Sequence, residues 1–77
     1  MGTSHSWQAS NPSELGAALA KLREGAQLRQ EDLAELAGVR REYISRMESG
    51  HATEQMKNLF AVLRSLGYEL ALVERGR

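Results

Sequence analysis

The sequence contains no cysteine, so disulfides and thiolate metal sites are excluded and cysteine usage sets no redox compartment. No apolar run approaches the roughly 20 residues needed to span a bilayer, and the first residues lack the apolar segment of a signal peptide. A cytoplasmic location away from membranes is the expectation. Charge of one sign is also missing: ten basic and ten acidic residues cancel. Binding to nucleic acid through bulk charge is thereby disfavoured, and only the distribution of charge can serve it. There is no Gly-rich phosphate loop, nucleophile motif or metal-ligand spacing. His5 and His51 lie far apart, with neither cysteine nor paired carboxylates near them in sequence, and each reads as a surface residue. No catalysis, cofactor or metal is expected.

What is present fits one small domain. Seventy-seven residues with 42% hydrophobic and 26% charged content are ordinary for a globular chain, although one this short buries only about 60% of its unfolded surface. Residues 1–10 are polar and aperiodic and read as a tail, with Trp7 an exposed aromatic within it. Asn11-Pro12-Ser13-Glu14 then spells a helix start: a capping side chain, a proline at the first helical position, and a carboxylate that can reach back. Leu15, Ala18, Leu19 and Leu22 mark one face of that helix, and Gly25 ends it. A second helix is expected from Gln30 to Ala37 with Leu33, Leu36 and Ala37 inward, Gly38 as a left-handed stop, and Val39 as a buried plug. A third runs from about Arg41 to Ser49 with Ile44 and Met47 inward. Thr53 caps a fourth, whose Met56, Leu59, Phe60, Leu63 and Leu66 form a broad apolar stripe that Gly67 terminates.

After Gly67 the period changes. Tyr68, Leu70 and Leu72 alternate with Glu69, Ala71 and Val73, a strand pattern. No other segment reads as a strand, and a lone strand leaves backbone donors and acceptors unpaired. An outside partner is therefore expected for it. The chain divides into the tail 1–10, a helical domain 11–67, and a strand with a short tail over 68–77.

The spacing Gln30-x-x-Leu33-Ala34-x-x-Ala37-Gly38-Val39, followed by Ile44-Ser45-x-x-Glu48-x-Gly50, resembles the lambda-repressor-like, Xre-type helix-turn-helix family. The resemblance covers about Leu15 to Leu66. It implies an all-α fold of four to five helices that offers its third helix to the major groove of DNA. The strand after the fourth helix resembles that of the HipB-type antitoxins, in which each protomer gives a C-terminal strand to a sheet between subunits. On that likeness Leu63, Leu66, Tyr68, Leu70, Leu72 and Val73 form a homodimer interface.

The resemblance also distributes roles. Arg40, Arg41, Glu42, Ser45 and Arg46 fall where the family touches base edges, and the chemistry suits them: arginine forks onto guanine, and a carboxylate accepts from cytosine. Gln30 and the backbone donors at its helix start can hold a phosphate, Arg29 can add another contact, and Tyr43 points outward toward the backbone or a thymine methyl. Arg23 and Glu48 occupy positions that form an internal ion pair in some members. Two departures stand out. Arg29 and Arg40 precede the motif helices where the family usually has a capping Ser, Thr or Asn, which forgoes a cap and sets positive charge at the positive end of a helix dipole. Bound phosphate would gain value from this.

Three functions compete. One is a dimeric repressor on a palindromic operator in double-stranded DNA. Another, which the likeness to HipB-type proteins favours over a stand-alone phage- or plasmid-type repressor, is the antitoxin of a toxin–antitoxin pair, which also holds a cognate toxin and represses its own operon. The third uses the fold for protein contacts alone.

Overall fold

A computed structural model describes residues 6–75. Along the chain run β1 (Ser6–Ala9), α1 (Pro12–Gly25), α2 (Gln30–Ala37), α3 (Arg41–Glu48), α4 (Glu54–Leu66) and β2 (Leu70–Val73). The main body is helical, and local chemistry sets its boundaries. The Asn11 side chain accepts from the Glu14 N–H at 2.8 Å, which satisfies an orphan donor at the start of α1, and the Glu14 side chain accepts from the N–H of Ser10, just before the cap, at 2.7 Å. Thr53 caps α4 through the Met56 N–H at 3.2 Å. Gly38 takes φ 75° at the end of α2, a left-handed value that suits a residue without Cβ and reverses the chain into α3.

The core gathers Ala9, Ala18, Ala34, Ile44 and Phe60, the last being the largest fully buried side chain. Gly16 brings α1 directly against the end of α3: a Cβ there would collide with the carbonyl oxygen of Met47 and crowd that of Glu48. A glycine inside a helix costs backbone entropy, and here it permits this contact between backbones.

Several expectations need correction. Residues 6–9 are not tail but strand, paired antiparallel with β2 in the register Ser6↔Val73, Trp7↔Leu72, Gln8↔Ala71 and Ala9↔Leu70. The C-terminal strand thus finds a partner within its own chain, which removes the reason for requiring one outside. Two apolar residues in four, Trp7 and Ala9, gave too short an alternation to read. The rest of the expected tail, with His5, lies outside the described residues. β2 begins at Leu70 rather than Tyr68 because the Tyr68 N–H closes the end of α4 on the Leu63 carbonyl at 2.8 Å. Leu36, expected inward, is 75% exposed, since Ala34 takes the buried position on α2. Val39 is a partly exposed residue rather than a buried plug. It stands at the edge of an apolar cleft of about 220 Å³ that Leu19, Leu33, Ile44 and Met47 also line. Leu22, Leu59 and Leu66 are likewise exposed, because a small domain has more apolar residues than interior.

Candidate nucleic-acid interface

The turn between α2 and α3 holds by two backbone bonds, Gly38 N–H to Glu35 and Val39 N–H to Ala34 at 3.3 and 3.0 Å. From that corner α3 packs Ile44 into the core and half-buries Met47 and Glu48. By helical spacing the opposite side carries Glu42 and Arg46, both exposed, with Tyr43 exposed and Ser45 half-buried at its margins, while Arg41, exposed at the first helical position, lies in line with Ile44 and Glu48 on the side toward Gln30. Arg40 precedes the helix, is exposed, and gives it no side-chain cap. The five residues expected to meet bases and Tyr43 thus share one helix and its lead-in.

The arginines divide into two kinds. Arg23 is consumed internally: its Nε donates to Glu48 at 2.6 Å, a second guanidinium nitrogen donates to the other carboxylate oxygen at 3.0 Å, and a third donates to the Leu28 carbonyl at 2.8 Å. The two side chains are only 13% and 8% exposed. The pair ties the end of α1 to the end of α3, and the Arg23 guanidinium holds the Glu48 carboxyl below the usual carboxylate range against the opposing effect of burial. Arg29 is consumed at the surface, where it donates to both oxygens of Asp32 at 3.0 and 2.9 Å and lies 3.4 Å from Glu31. Asp32 also accepts the Arg29 N–H at 2.9 Å. By contrast, no carboxylate among the described residues lies within ion-pair distance of Arg40, Arg41 or Arg46.

These contacts revise two expectations. The start of α2 does not go uncapped, because Asp32, three residues on, supplies the carboxylate half of a capping box and offsets the arginine charge at the helix end. The Arg29 side-chain bonds and a backbone bond together lower the pKa of Asp32. Spacing could have revealed this, since Asp32 stands at the third helical position. Arg29 is correspondingly less free for phosphate in the unbound protein. The α3 start does lack a side-chain cap, as its sequence suggests.

Gln30 has a place that its sequence position did not indicate. Its amide nitrogen donates to Glu48 at 2.9 Å, and its oxygen accepts from Arg41 at 3.3 Å. A continuous polar chain therefore runs from the Leu28 carbonyl through Arg23, Glu48 and Gln30 to Arg41. It connects the anchored end of α3 with the guanidinium at its free end. Of the expected interface residues, Leu63, Leu70 and Leu72 are half-buried, whereas Leu66, Tyr68 and Val73 are exposed. Leu70 and Leu72 alternate with exposed Ala71 and Val73 along β2. Among the described residues no group of three or more His, Cys, Asp or Glu could hold a metal ion, and no helix is long and apolar enough to cross a membrane.

Known proteins resemble this chain in sequence. A family profile described as helix-turn-helix matches residues 19–73. The chain is similar to a Sinorhizobium fredii protein named "Uncharacterized HTH-type transcriptional regulator y4mF", 34% identical over 65 residues that span 84% of this chain and 86% of that protein. No solved structure matches it significantly.

Proposed function

The chain belongs to the helix-turn-helix family, in its lambda-repressor-like form, and from that premise we propose that it is a transcriptional repressor that reads a specific DNA sequence with α3. The observation that carries this reading is the exposed start and outer side of α3, where Arg40, Arg41 and Arg46 lack carboxylate partners and Glu42 stands among them as an acceptor. Arg41 and Arg46 are the residues to fork onto guanine, and Glu42 the one to accept from cytosine. Arg40 and Tyr43 flank them, toward the sugar–phosphate backbone. Arg41 approaches the groove steadied by Gln30. The α2 start offers its free backbone N–H groups, and the second amide hydrogen of Gln30, to a phosphate. Net charge is zero, so attraction is local to this face and two copies on a palindromic operator supply the strength that one lacks.

The antitoxin reading rested on the likeness of the C-terminal strand to HipB-type proteins. With β1 as an internal partner for that strand, no described residue adds a reason for a toxin, and the repressor reading is the one argued.

Fluorescence anisotropy on duplex DNA tests it. Affinity falls on the order of a hundredfold between 50 and 200 mM salt if about four phosphates are neutralised. Arg41→Ala lowers discrimination at one base position by about 1–3 kcal/mol. Salt-independent binding, or an Arg41→Ala/Arg46→Ala variant that binds like the wild type, overturns the assignment.

A further inference from the structure

An ionised carboxylate accepts hydrogen bonds and donates none. The Gln30 amide that meets Glu48 at 2.9 Å therefore turns its NH2 toward it. The amide oxygen is left on the other branch, where Nη1 of Arg41 donates to it at 3.3 Å. A glutamine with water on both sides has no such sense, since its two ends are nearly alike in shape and exchange by a half-turn. Here both neighbours select the same one, Glu48 with acceptors only and Arg41 with donors only. The carboxylate is itself fixed. Arg23 donates to both of its oxygens at 2.6 and 3.0 Å, and the same guanidinium is tied to the Leu28 carbonyl at 2.8 Å. Gln30 and Glu48 are both half-buried residues, whereas Arg41 is exposed, so the fixed part of the chain lies inside and its free end faces solvent.

We propose that Glu48 is a positioning residue for base recognition: by fixing the sense of the Gln30 amide, it requires a donor at the start of α3 and holds Arg41 there. The inference rests on the repressor reading and names a residue on which its specificity depends, although Glu48 does not itself meet DNA. One Nη1 hydrogen of Arg41 is committed to Gln30, and the rest of its five-donor fork stays available for guanine O6 and N7. The polar chain ends at Arg41. Arg46, on the outer side of α3, is not part of it and serves as the internal control. Glu48→Gln then has a specific consequence. Arg23 keeps its hold on the side-chain oxygen, so the new NH2 faces Gln30 and draws the Gln30 oxygen round toward itself. That half-turn aims the Gln30 NH2 at Arg41, donor against donor, and displaces the guanidinium. Adding Gln30→Glu restores an acceptor on both branches, because one carboxylate can receive from the new amide and from Arg41 together.

The test compares the wild type, Glu48→Gln and Gln30→Glu/Glu48→Gln on duplexes selected from a random library, at a temperature where circular dichroism shows each to be folded. The base pair read by Arg41 is the one whose preference Arg41→Ala removes, and Arg46→Ala marks the other. Glu48→Gln lowers discrimination at the Arg41 base pair roughly tenfold, within the range a bidentate contact supplies. Discrimination at the Arg46 base pair is unchanged, and the double variant recovers the first. A merely structural role would weaken every position together and would gain nothing from Gln30→Glu. NMR of the free wild type reads the same wiring without DNA and without any variant: the Gln30 side-chain amide protons show contacts to the Glu48 side chain and none to the Arg41 guanidinium. Amide protons that face Arg41 overturn the proposal, as does a Glu48→Gln consensus unchanged at the Arg41 position, a loss shared by all positions, or a double variant that recovers nothing. A wild type that enriches no sequence removes the repressor reading and this role with it, whereas a selected sequence indifferent to Glu48→Gln removes this role alone.

Discussion

Replacing Glu48 with alanine removes the acceptor on which the polar chain behind α3 depends. The carboxylate receives two bonds from Arg23 and one from Gln30, at 2.6, 3.0 and 2.9 Å. After the change, Arg23 keeps only the Leu28 carbonyl as a close partner, apart from the exposed Glu24 at 3.9 Å. An exposed ion pair contributes about 0–1 kcal/mol and loss of one partner from a fully buried pair costs about 3–5 kcal/mol. With the Glu48 side chain 8% exposed at the edge of a thin domain, the expected loss falls between, at about 2–3 kcal/mol. Spread over an unfolding entropy of about 2.1 cal/mol/K per residue, that lowers Tm by roughly 15 °C. Thermal and urea melts followed by circular dichroism measure it. The Arg23→Ala/Glu48→Ala double variant should melt no lower than the weaker single variant, because the two side chains act as a unit. A fall of less than about 3 °C for Glu48→Ala would equate the pair with an ordinary surface contact, and the account of how α3 is anchored would fail.

Other consequences follow from the same contacts. Gly16→Ala gains about 1 kcal/mol of helix propensity, yet drives a Cβ into the Met47 carbonyl; a net destabilisation of about 1–2 kcal/mol in urea melts is expected, and a stabilised variant would contradict the close approach of α1 and α3. The pKa values of Glu48 and Asp32 are lowered from their ordinary 4.5 and 3.8. The stability these groups contribute is therefore full above those values and drains away as pH falls through the folded-state values. Tm should hold from neutrality to the region of the ordinary glutamate value and drop below it, with a shallower acid limb in Glu48→Gln. A Tm that rises on acidification through that range would reverse the sign of the argument.

The helix boundaries were legible because capping is local. Asn11, Pro12 and Glu14 act within four residues, as do Thr53 and Met56, and Gly38 and Gly67 stop their helices where they stand. What failed to appear in the sequence depends on distant groups. β1 is four residues long and pairs with a strand more than 60 residues away, so nothing near Trp7 announced it. Leu36, Leu59 and Leu66 follow apolar spacing as faithfully as Phe60 does. Spacing cannot say which stripe the domain has room to cover. At the interface the types of residue were readable and their engagements were not. Arg29 and Arg41 look alike in sequence, yet Asp32 and Glu31 hold the first while the second is bound only through Gln30. Asp32 was the exception, since its distance from Arg29 is a capping-box spacing.

The central claim is that α3 reads bases, and selection of bound duplexes from a random DNA library tests it most directly. The account predicts an enriched palindrome with half-sites about one helical turn apart, and loss of preference at one guanine in each half when Arg41→Ala is selected in parallel. Failure to enrich any sequence, or an identical consensus from the Arg41→Ala and Arg46→Ala variants, would contradict it.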